Sequence, residues 1–316
     1  MNTPSVRKIV VAGPVSSEQS ERVRDVAAGV EIEFVGSVAN AGDLQHADVI
    51  AGQLTPSDLA RAASLKWLHS WAAGPDSQLF EEFVGHPAVL TCSKGNGAIP
   101  LAEHAMMLML LLNRNALRWI EAQREQKWAP FVHEELNGKT VGIIGTGYSG
   151  TDLAGKAKAF HMSVIGMRRT QTPASGFDRI YPQAELHDFL KECDFVVVTA
   201  PKTPETEGML GEAEFRAMKS SAYYVCYSRG GIADDRALLR ALEEGWIAGA
   251  GLDAHGEEPL PPESPFWTAP NTIITPHNGA TTNATKARGF EIFLDNLRRY
   301  VKGEPLFNVV NKLAGY

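Results

Sequence analysis

Residues 140 to 160, TVGIIGTGYSGTDLAGKAKAF, restrict the possible folds of this chain more than any other stretch. The apolar run VGII leads into Gly145, Gly147 and Gly150 in GxGxxG spacing, and the chain then passes at once into an amphipathic helical pattern. Each glycine has its own task. Gly145 permits a tight turn, Gly147 lets the backbone approach a pyrophosphate, and Gly150 lets helix and strand pack closely. The pyrophosphate then rests on the first amides of the helix, with Thr146, Tyr148 and Ser149 completing the loop around it. The motif implies a dinucleotide held by a parallel sheet.

The rest of the chain repeats the strand-then-helix alternation that such a sheet needs. Strand patterns at KIVVAG, VEIEFVG, DVIAGQ, LKWLHSW and AVLTCS form a first series. A second series runs through TVGIIGTG, SVIGMRR, DFVVVTAP, AYYVCYSRG, AGAGLD and NTIITPH. The fold class expected is α/β, with two Rossmann- or flavodoxin-like domains on parallel sheets and the active-site cleft between them. Residues 1–100 and 288–316 form the substrate-binding domain, and 101–287 the dinucleotide-binding domain. One long apolar helix is expected from about Pro100 to Trp128. Its residues 105 to 112 are apolar all round, so a neighbouring domain or a second subunit must cover them.

Composition narrows the function. A net charge of −7 argues against nucleic acid and anionic membranes, both of which reward a basic surface. Small ligands suit it better. The cysteines Cys92, Cys193 and Cys226 lie far apart with no CxxC spacing, so neither a disulfide framework nor a zinc site is encoded. MNTPSVRKIVVAG reads as a first strand and not as a signal peptide, and the expected location is the cytoplasm.

Three further stretches stand at expected strand ends: YSRGGI with Arg229, GLDAHGEEPLPP with Glu258, and TPHNGATT with His277. In open parallel sheets such ends surround the ligand. The planar donor fork of Arg229 suits the carboxylate and carbonyl of a 2-oxo acid. His277, paired with Glu258, can give a proton to the ketone oxygen as hydride reaches the adjacent carbon.

These stretches, in this order after the glycine loop, closely resemble the D-isomer-specific 2-hydroxyacid dehydrogenase family, of the glyoxylate or hydroxypyruvate reductase kind. The resemblance extends from ADVIAGQ and SWAAGPD through AEHAMMLMLLLNR, VVVTAPKTPETEGML and SRGGIADDRALLRALEEGWIAGAGLD to EEPLPPESPFW and TPHNGA. It implies that Arg229 binds substrate, that Glu258 orients His277 and favours its charged form, and that His277 is the acid-base residue. It further implies a cradle for the substrate carboxylate at the amides of Ala73 and Gly74, with Asp253 near the nicotinamide carboxamide. Pro201 and Ala280 are expected to line the cofactor, and a homodimer buries the long helix. Cys226 stands where many members have Asn, and Asn278 where isoleucine is common. Leu54, Trp71, Phe266 and Trp267 are candidate walls for the substrate side chain, with simple core packing as the alternative.

The strand after the glycine loop carries the acid that serves the ribose hydroxyls of NAD in many dinucleotide folds. Here, 23 positions on from Gly145, stand Arg168, Arg169 and Thr170. Arginines attract the 2'-phosphate that an acid would repel, so NADP(H) is expected to be preferred over NAD(H). The function expected is a 2-oxo acid reductase acting on a small 2-oxo or 2-hydroxy acid, with no metal. Two alternatives remain: a dinucleotide-sensing, corepressor-like binding protein on the same fold, and a formate dehydrogenase-like enzyme. The second is disfavoured because the family pattern there has glutamine in place of Glu258.

Overall fold

The computed structural model describes residues 6–316, which divide into two compact units. One unit comprises the residues up to Asn96 together with Thr282–Tyr316, and the other is the continuous stretch Gly97–Thr281. The chain passes from one unit to the other just before the helices that begin at Ala98 and Asn283.

In the first unit the strands are β1 (Lys8–Ala12), β2 (Glu31–Val35), β3 (Ala47–Ala51), β4 (Trp67–Ser70) and β5 (Val89–Cys92). They pair in parallel in the order β2-β1-β3-β4-β5. The helices are α1 (Ser17–Val26), α2 (Pro56–Arg61), α3 (Glu81–Val84) and, from the far end of the chain, α10 (Asn283–Lys302). Strand residues alternate between two apolar layers, as period-two geometry requires. Val10 and Ala12 join Ile50, Leu54, Leu68 and Phe83 on one face. On the other, Ile9 and Val11 join Val49, Trp67, Phe293, Leu294 and Leu297.

The second unit contains α4 (Ala98–Asn113), α5 (Ala116–Arg124), β6 (Thr140–Ile144), α6 (Tyr148–Ala159), β7 (Ser163–Met167), β8 (Arg179–Tyr181) and α7 (Leu186–Glu192). It continues with β9 (Phe195–Val198), α8 (Glu212–Ala217), β10 (Tyr223–Cys226), α9 (Asp235–Glu243), β11 (Gly249–Leu252) and β12 (Thr272–Ile274). Its seven strands are parallel in the order β12-β11-β10-β9-β6-β7-β8. The chain builds outward from β6 through β7 to β8, then crosses back to β9 on the other side of β6. The carboxyl ends of β6 and β9 therefore flank the point where strand order reverses, the usual ligand crevice of such sheets.

Two expectations need correction. The long helix is not continuous to Trp128: Asn115 takes a left-handed backbone (φ 51°), α4 stops at Asn113, and α5 ends at Arg124. Asparagine adopts that conformation more readily than most residues, so the break falls there without a glycine or proline. The apolar stretch 105 to 112 is also covered largely by its own unit, because α4 packs on α6, β10 and β11. Gly251 makes this close approach possible, since an added Cβ there would lie 3.1 Å from the Leu108 Cβ. Within the stretch only Met107 is strongly exposed, at 40%. Strand β8 was not anticipated; it is a three-residue edge strand preceded by Asp178 and starting at Arg179, too short and too charged to show a strand pattern. Among the described residues no helix is long and apolar enough to cross a membrane, and the three cysteines are free and buried.

Candidate active site

The glycine loop joins β6 to α6, and its glycines differ in what surrounds them. Gly145 has φ 106°, and an added Cβ would lie 2.6 Å from Thr199 Oγ1 and 2.7 Å from the Ala200 amide nitrogen. At Gly150 a Cβ would lie 2.1 Å from the Gly145 carbonyl oxygen, so loop and helix touch backbone to backbone. At Gly147 a Cβ would meet nothing within 4 Å. Its missing side chain leaves open space at the start of α6, where the helix amides carry partial positive charge and no side chain caps them. Thr199, at the end of β9, holds the turn by donating from Oγ1 to the Gly145 carbonyl at 2.7 Å. Sequence reading missed this contact. Close by in sequence, Thr206 Oγ1 donates to the Pro201 carbonyl at 2.8 Å. An open Gly147 and uncapped helix amides fit a bound dinucleotide.

Strand β7 ends at Met167, and Arg168, Arg169 and Thr170 follow it directly. The Arg168 amide donates to the Tyr181 carbonyl at 3.2 Å, which fixes the backbone where the guanidinium departs. Arg168 as a whole is of intermediate exposure. Thr170 Oγ1 lies 3.3 Å from Thr172 Oγ1. Arg169 faces Glu205, whose carboxyl is held below its usual range first by a hydrogen bond from Thr203 and in smaller part by the Arg169 charge.

Glu258 and His277 meet at the carboxyl ends of neighbouring strands β11 and β12. His277 Nδ1 lies 2.9 and 2.7 Å from the two Glu258 oxygens. Both side chains are a little over a third exposed, so the pair remains open to a ligand. Burial pushes the Glu258 carboxyl up, but the His255 amide and the His277 ring outweigh it and leave the group below its ordinary value. His277 itself has a left-handed backbone (φ 48°), a conformation that needs support from its neighbours. Part of that support is Asp253, which is fully buried and accepts from the Asn278 amide at 3.1 Å, the Gly279 amide at 3.0 Å and Thr275 Oγ1 at 2.7 Å. Both Asp253 oxygens thus hold the His277 loop. His104 on α4 adds a contact at 3.0 Å to the same Thr275 hydroxyl. Ala280, next in the loop, sits against Gly97, where an added Cβ would come within 2.9 Å of it.

Arg229 follows β10, and its Nη1 donates to the Ser228 carbonyl at 2.7 Å. Cys226, just before it, is buried and points its thiol at the Arg229 carbonyl at 3.4 Å. Burial pushes that thiol up, away from thiolate chemistry.

Ala73 and Gly74 lie in the first unit, in the loop after β4. Among the described residues their amides have no protein acceptor, as an anion cradle requires. Of the candidate pocket walls, Leu54 is 2% exposed and packs within a core layer of the first unit. Trp71 donates from its indole to the Ala12 carbonyl at 2.8 Å and packs edge-on against Phe293. Phe266 belongs to a core layer of the second unit. Trp267 is half-exposed and donates to the Pro261 carbonyl at 2.8 Å.

Comparison with known proteins agrees with this architecture. Residues 106–279 match the model of the D-isomer specific 2-hydroxyacid dehydrogenase NAD binding domain. A glyoxylate reductase of Thermococcus litoralis is 36% identical over 80% of this chain and 79% of its own length. Among solved structures, the NADPH-dependent glyoxylate/hydroxypyruvate reductase of Sinorhizobium meliloti, in complex with NADP and sulfate, superposes with a TM-score of 0.84. It is 29% identical, and the match covers 98% of this chain and all of the other. A D-isomer specific 2-hydroxyacid dehydrogenase of Xanthobacter autotrophicus, in complex with NADPH, gives a TM-score of 0.86 at 25% identity over 99% of this chain and all of that one. The chain belongs to the D-isomer specific 2-hydroxyacid dehydrogenase family and is a nicotinamide-dependent oxidoreductase of hydroxy acids.

Proposed function

We propose that the protein reduces short 2-oxo acids of the glyoxylate and hydroxypyruvate kind, and that it prefers NADPH. The observation that carries this reading is the pairing of His277 Nδ1 with both Glu258 oxygens, at 2.9 and 2.7 Å. That pairing commits Nδ1 to the carboxylate and leaves Nε2 of the charged ring to donate a proton. When bound, the nicotinamide cofactor supplies the hydride. Arg229 binds the substrate carboxylate and carbonyl through its fork of donors, and the amides of Ala73 and Gly74 give the carboxylate further hydrogen bonds. His277 delivers its proton to the carbonyl oxygen as that oxygen becomes an alkoxide, and Glu258 stabilises the imidazolium beforehand. Gly145, Thr146, Gly147, Tyr148, Ser149 and Gly150 hold the pyrophosphate, and Arg168, Arg169 and Thr170 bind the 2'-phosphate.

The working form is a homodimer built on the second unit. Ile99, Met107, Leu117, Trp119, Ile120 and Trp128 expose large apolar surfaces on α4, α5 and the segment after them, with Trp128 97% exposed. So much exposed apolar surface supports an interface, and two-fold pairing is the commonest closed arrangement.

The deciding experiment is steady-state turnover of glyoxylate, hydroxypyruvate, pyruvate and branched or aromatic 2-oxo acids with NADPH and with NADH. The expected result is highest catalytic efficiency on the two-carbon and hydroxymethyl acids with NADPH. Tight dinucleotide binding without turnover of any acid would point instead to a sensing protein on the same fold.

A further inference from the structure

We infer that His255 is a positioning residue that holds Arg229, Glu258 and His277 in one working geometry; the inference rests on the roles proposed above for those three. His255 follows β11 and is 9% exposed. Three of its groups face three different partners. Its backbone N–H donates to Glu258 Oε1 at 2.9 Å. Its ring Nε2 lies 3.0 Å from the carbonyl oxygen of Thr275, two residues before His277. A carbonyl only accepts, so Nε2 must carry hydrogen, and this contact sets which ring nitrogen is protonated. The His255 carbonyl supports the Arg229 turn: an added Cβ at Gly230 would lie 1.9 Å from that oxygen, so the Gly230 backbone rests directly on it.

The contact to Thr275 has a particular purpose because His277 has a left-handed backbone (φ 48°). A non-glycine residue in that region is strained and relaxes unless its surroundings hold it. Asp253 holds the following side through the amides of Asn278 and Gly279. On the preceding side the Thr275 amide donates to the Leu252 carbonyl at 2.9 Å, and the Thr275 carbonyl is held by the His255 ring. Without that ring, one side of the strained residue loses a tether, and the imidazole can turn away from Glu258. Because His255 also places Glu258 and Gly230, its ring holds the histidine loop while its backbone holds the other two groups. Side-chain substitutions therefore probe the His277 arm alone.

A filler role in the core predicts different behaviour, since His255 also lines a cavity of about 330 Å³ beside Arg229, Asp235, Glu257 and Phe266. Substitutions separate the two. His255→Phe keeps the ring volume and removes the donor; His255→Gln keeps a donor of similar reach; His255→Ala leaves space that imidazole from solution can enter through the cavity. Four quantities are measured: melting temperature, NADPH affinity by fluorescence, kcat and KM for glyoxylate, and the downfield proton resonance of the His277–Glu258 pair, assigned by its loss in His277→Gln. We expect His255→Phe to melt within a few degrees of the parent and to bind NADPH as the parent does. Its kcat should fall about ten-fold, KM should move less than kcat, and the resonance should vanish. His255→Gln should recover most of the kcat and the resonance, and imidazole should raise the kcat of His255→Ala along a saturating curve. Parental kcat and an unmoved resonance in His255→Phe would overturn the inference, as would a His255→Gln protein impaired as deeply as His255→Phe. If the parent turned over no 2-oxo acid, the proposed function would fail on its own, and the resonance would still decide whether His255 holds the pair.

Discussion

The Glu258 carboxylate receives His277 Nδ1 on both of its oxygens while also accepting the backbone N–H of His255. One carboxylate thus orients the imidazole and ties it to the loop that follows β11. We expect His277→Gln to lower turnover of 2-oxo acids by about two to four orders of magnitude, the usual contribution of a positioned general acid, with NADPH binding intact. Steady-state rates beside fluorescence titration of NADPH check this, and parental turnover would remove His277 as proton donor.

Glu258→Gln should act on the pH profile. The Glu258 carboxyl lies below its ordinary value, so its stabilising contribution is complete above about pH 4.3 and is lost only as pH falls through the lowered value. The parent therefore keeps the pair throughout the neutral range. In the variant the imidazole has no titrating carboxylate beside it, so kcat should fall at neutral pH and the acid limb set by Glu258 should be lost. Superimposable kcat profiles for the two proteins would refute the pairing.

Arg168→Ala tests cofactor choice. A charge-assisted contact to a phosphate is worth roughly 1.5 to 3 kcal/mol, so catalytic efficiency with NADPH should fall about ten-fold or more while NADH use stays nearly constant. Equal losses with both cofactors would show that the arginine supports the fold at the end of β7 and does not read the 2'-phosphate.

A separate pH effect should come from the first unit. His69 is fully buried, with Nδ1 2.8 Å from Thr91 Oγ1 and Nε2 3.2 Å from Ser93 Oγ, and burial pushes its pKa down to about 3. Below about pH 6.5 the unfolded chain binds a proton that the folded chain refuses, so stability falls with pH until about pH 3. Each unit of pH in that window costs about 1.4 kcal/mol from this one group. Urea midpoints of the parent should drop between pH 6.5 and 5, followed by the fluorescence of Trp67 and Trp71 beside the histidine. His69→Gln should flatten that slope by one proton; an unchanged slope would mean that other groups dominate.

Sedimentation at micromolar concentration should give about twice the 34.3 kDa of one chain. Replacing the exposed Trp119 and Ile120 with charged residues should shift the mass toward a single chain. A single-chain mass for the parent would mean that the apolar face of α4 and α5 serves another purpose.

Periodicity and local motifs made much of this molecule legible before the coordinates. The glycine loop and most strands announce themselves through neighbouring residues alone, because period-two apolar runs and GxGxxG spacing are local signals. Glu258 and His277 were selected from separate stretches, and they are in contact across 19 positions of sequence. Other features depend on contacts that no short window contains. Asn115 breaks the long helix through its backbone conformation and not through composition. Leu54 packs within a core layer, which its neighbours in sequence do not announce. Thr199, His104 and His255 hold the site through partners far along the chain, and a lone Thr or His carries no signal of that in its neighbours.

The first unit is written in two pieces, and this affects how the molecule comes into being. Strands β1 and β3 present Ile9, Val11 and Val49 to a layer that is completed by Phe290, Phe293, Leu294 and Leu297 of α10. During synthesis from the first residue onward, that face of the sheet has only Val23 and Ala27 of α1 and its end to cover it until the entire second unit has been made. The second unit needs no such return and can close on its own residues first. Docking of α10 is the longest loop closure in the chain, so it is expected to be a late, slow event, and the interval before it is when the nascent sheet is most open to wrong partners.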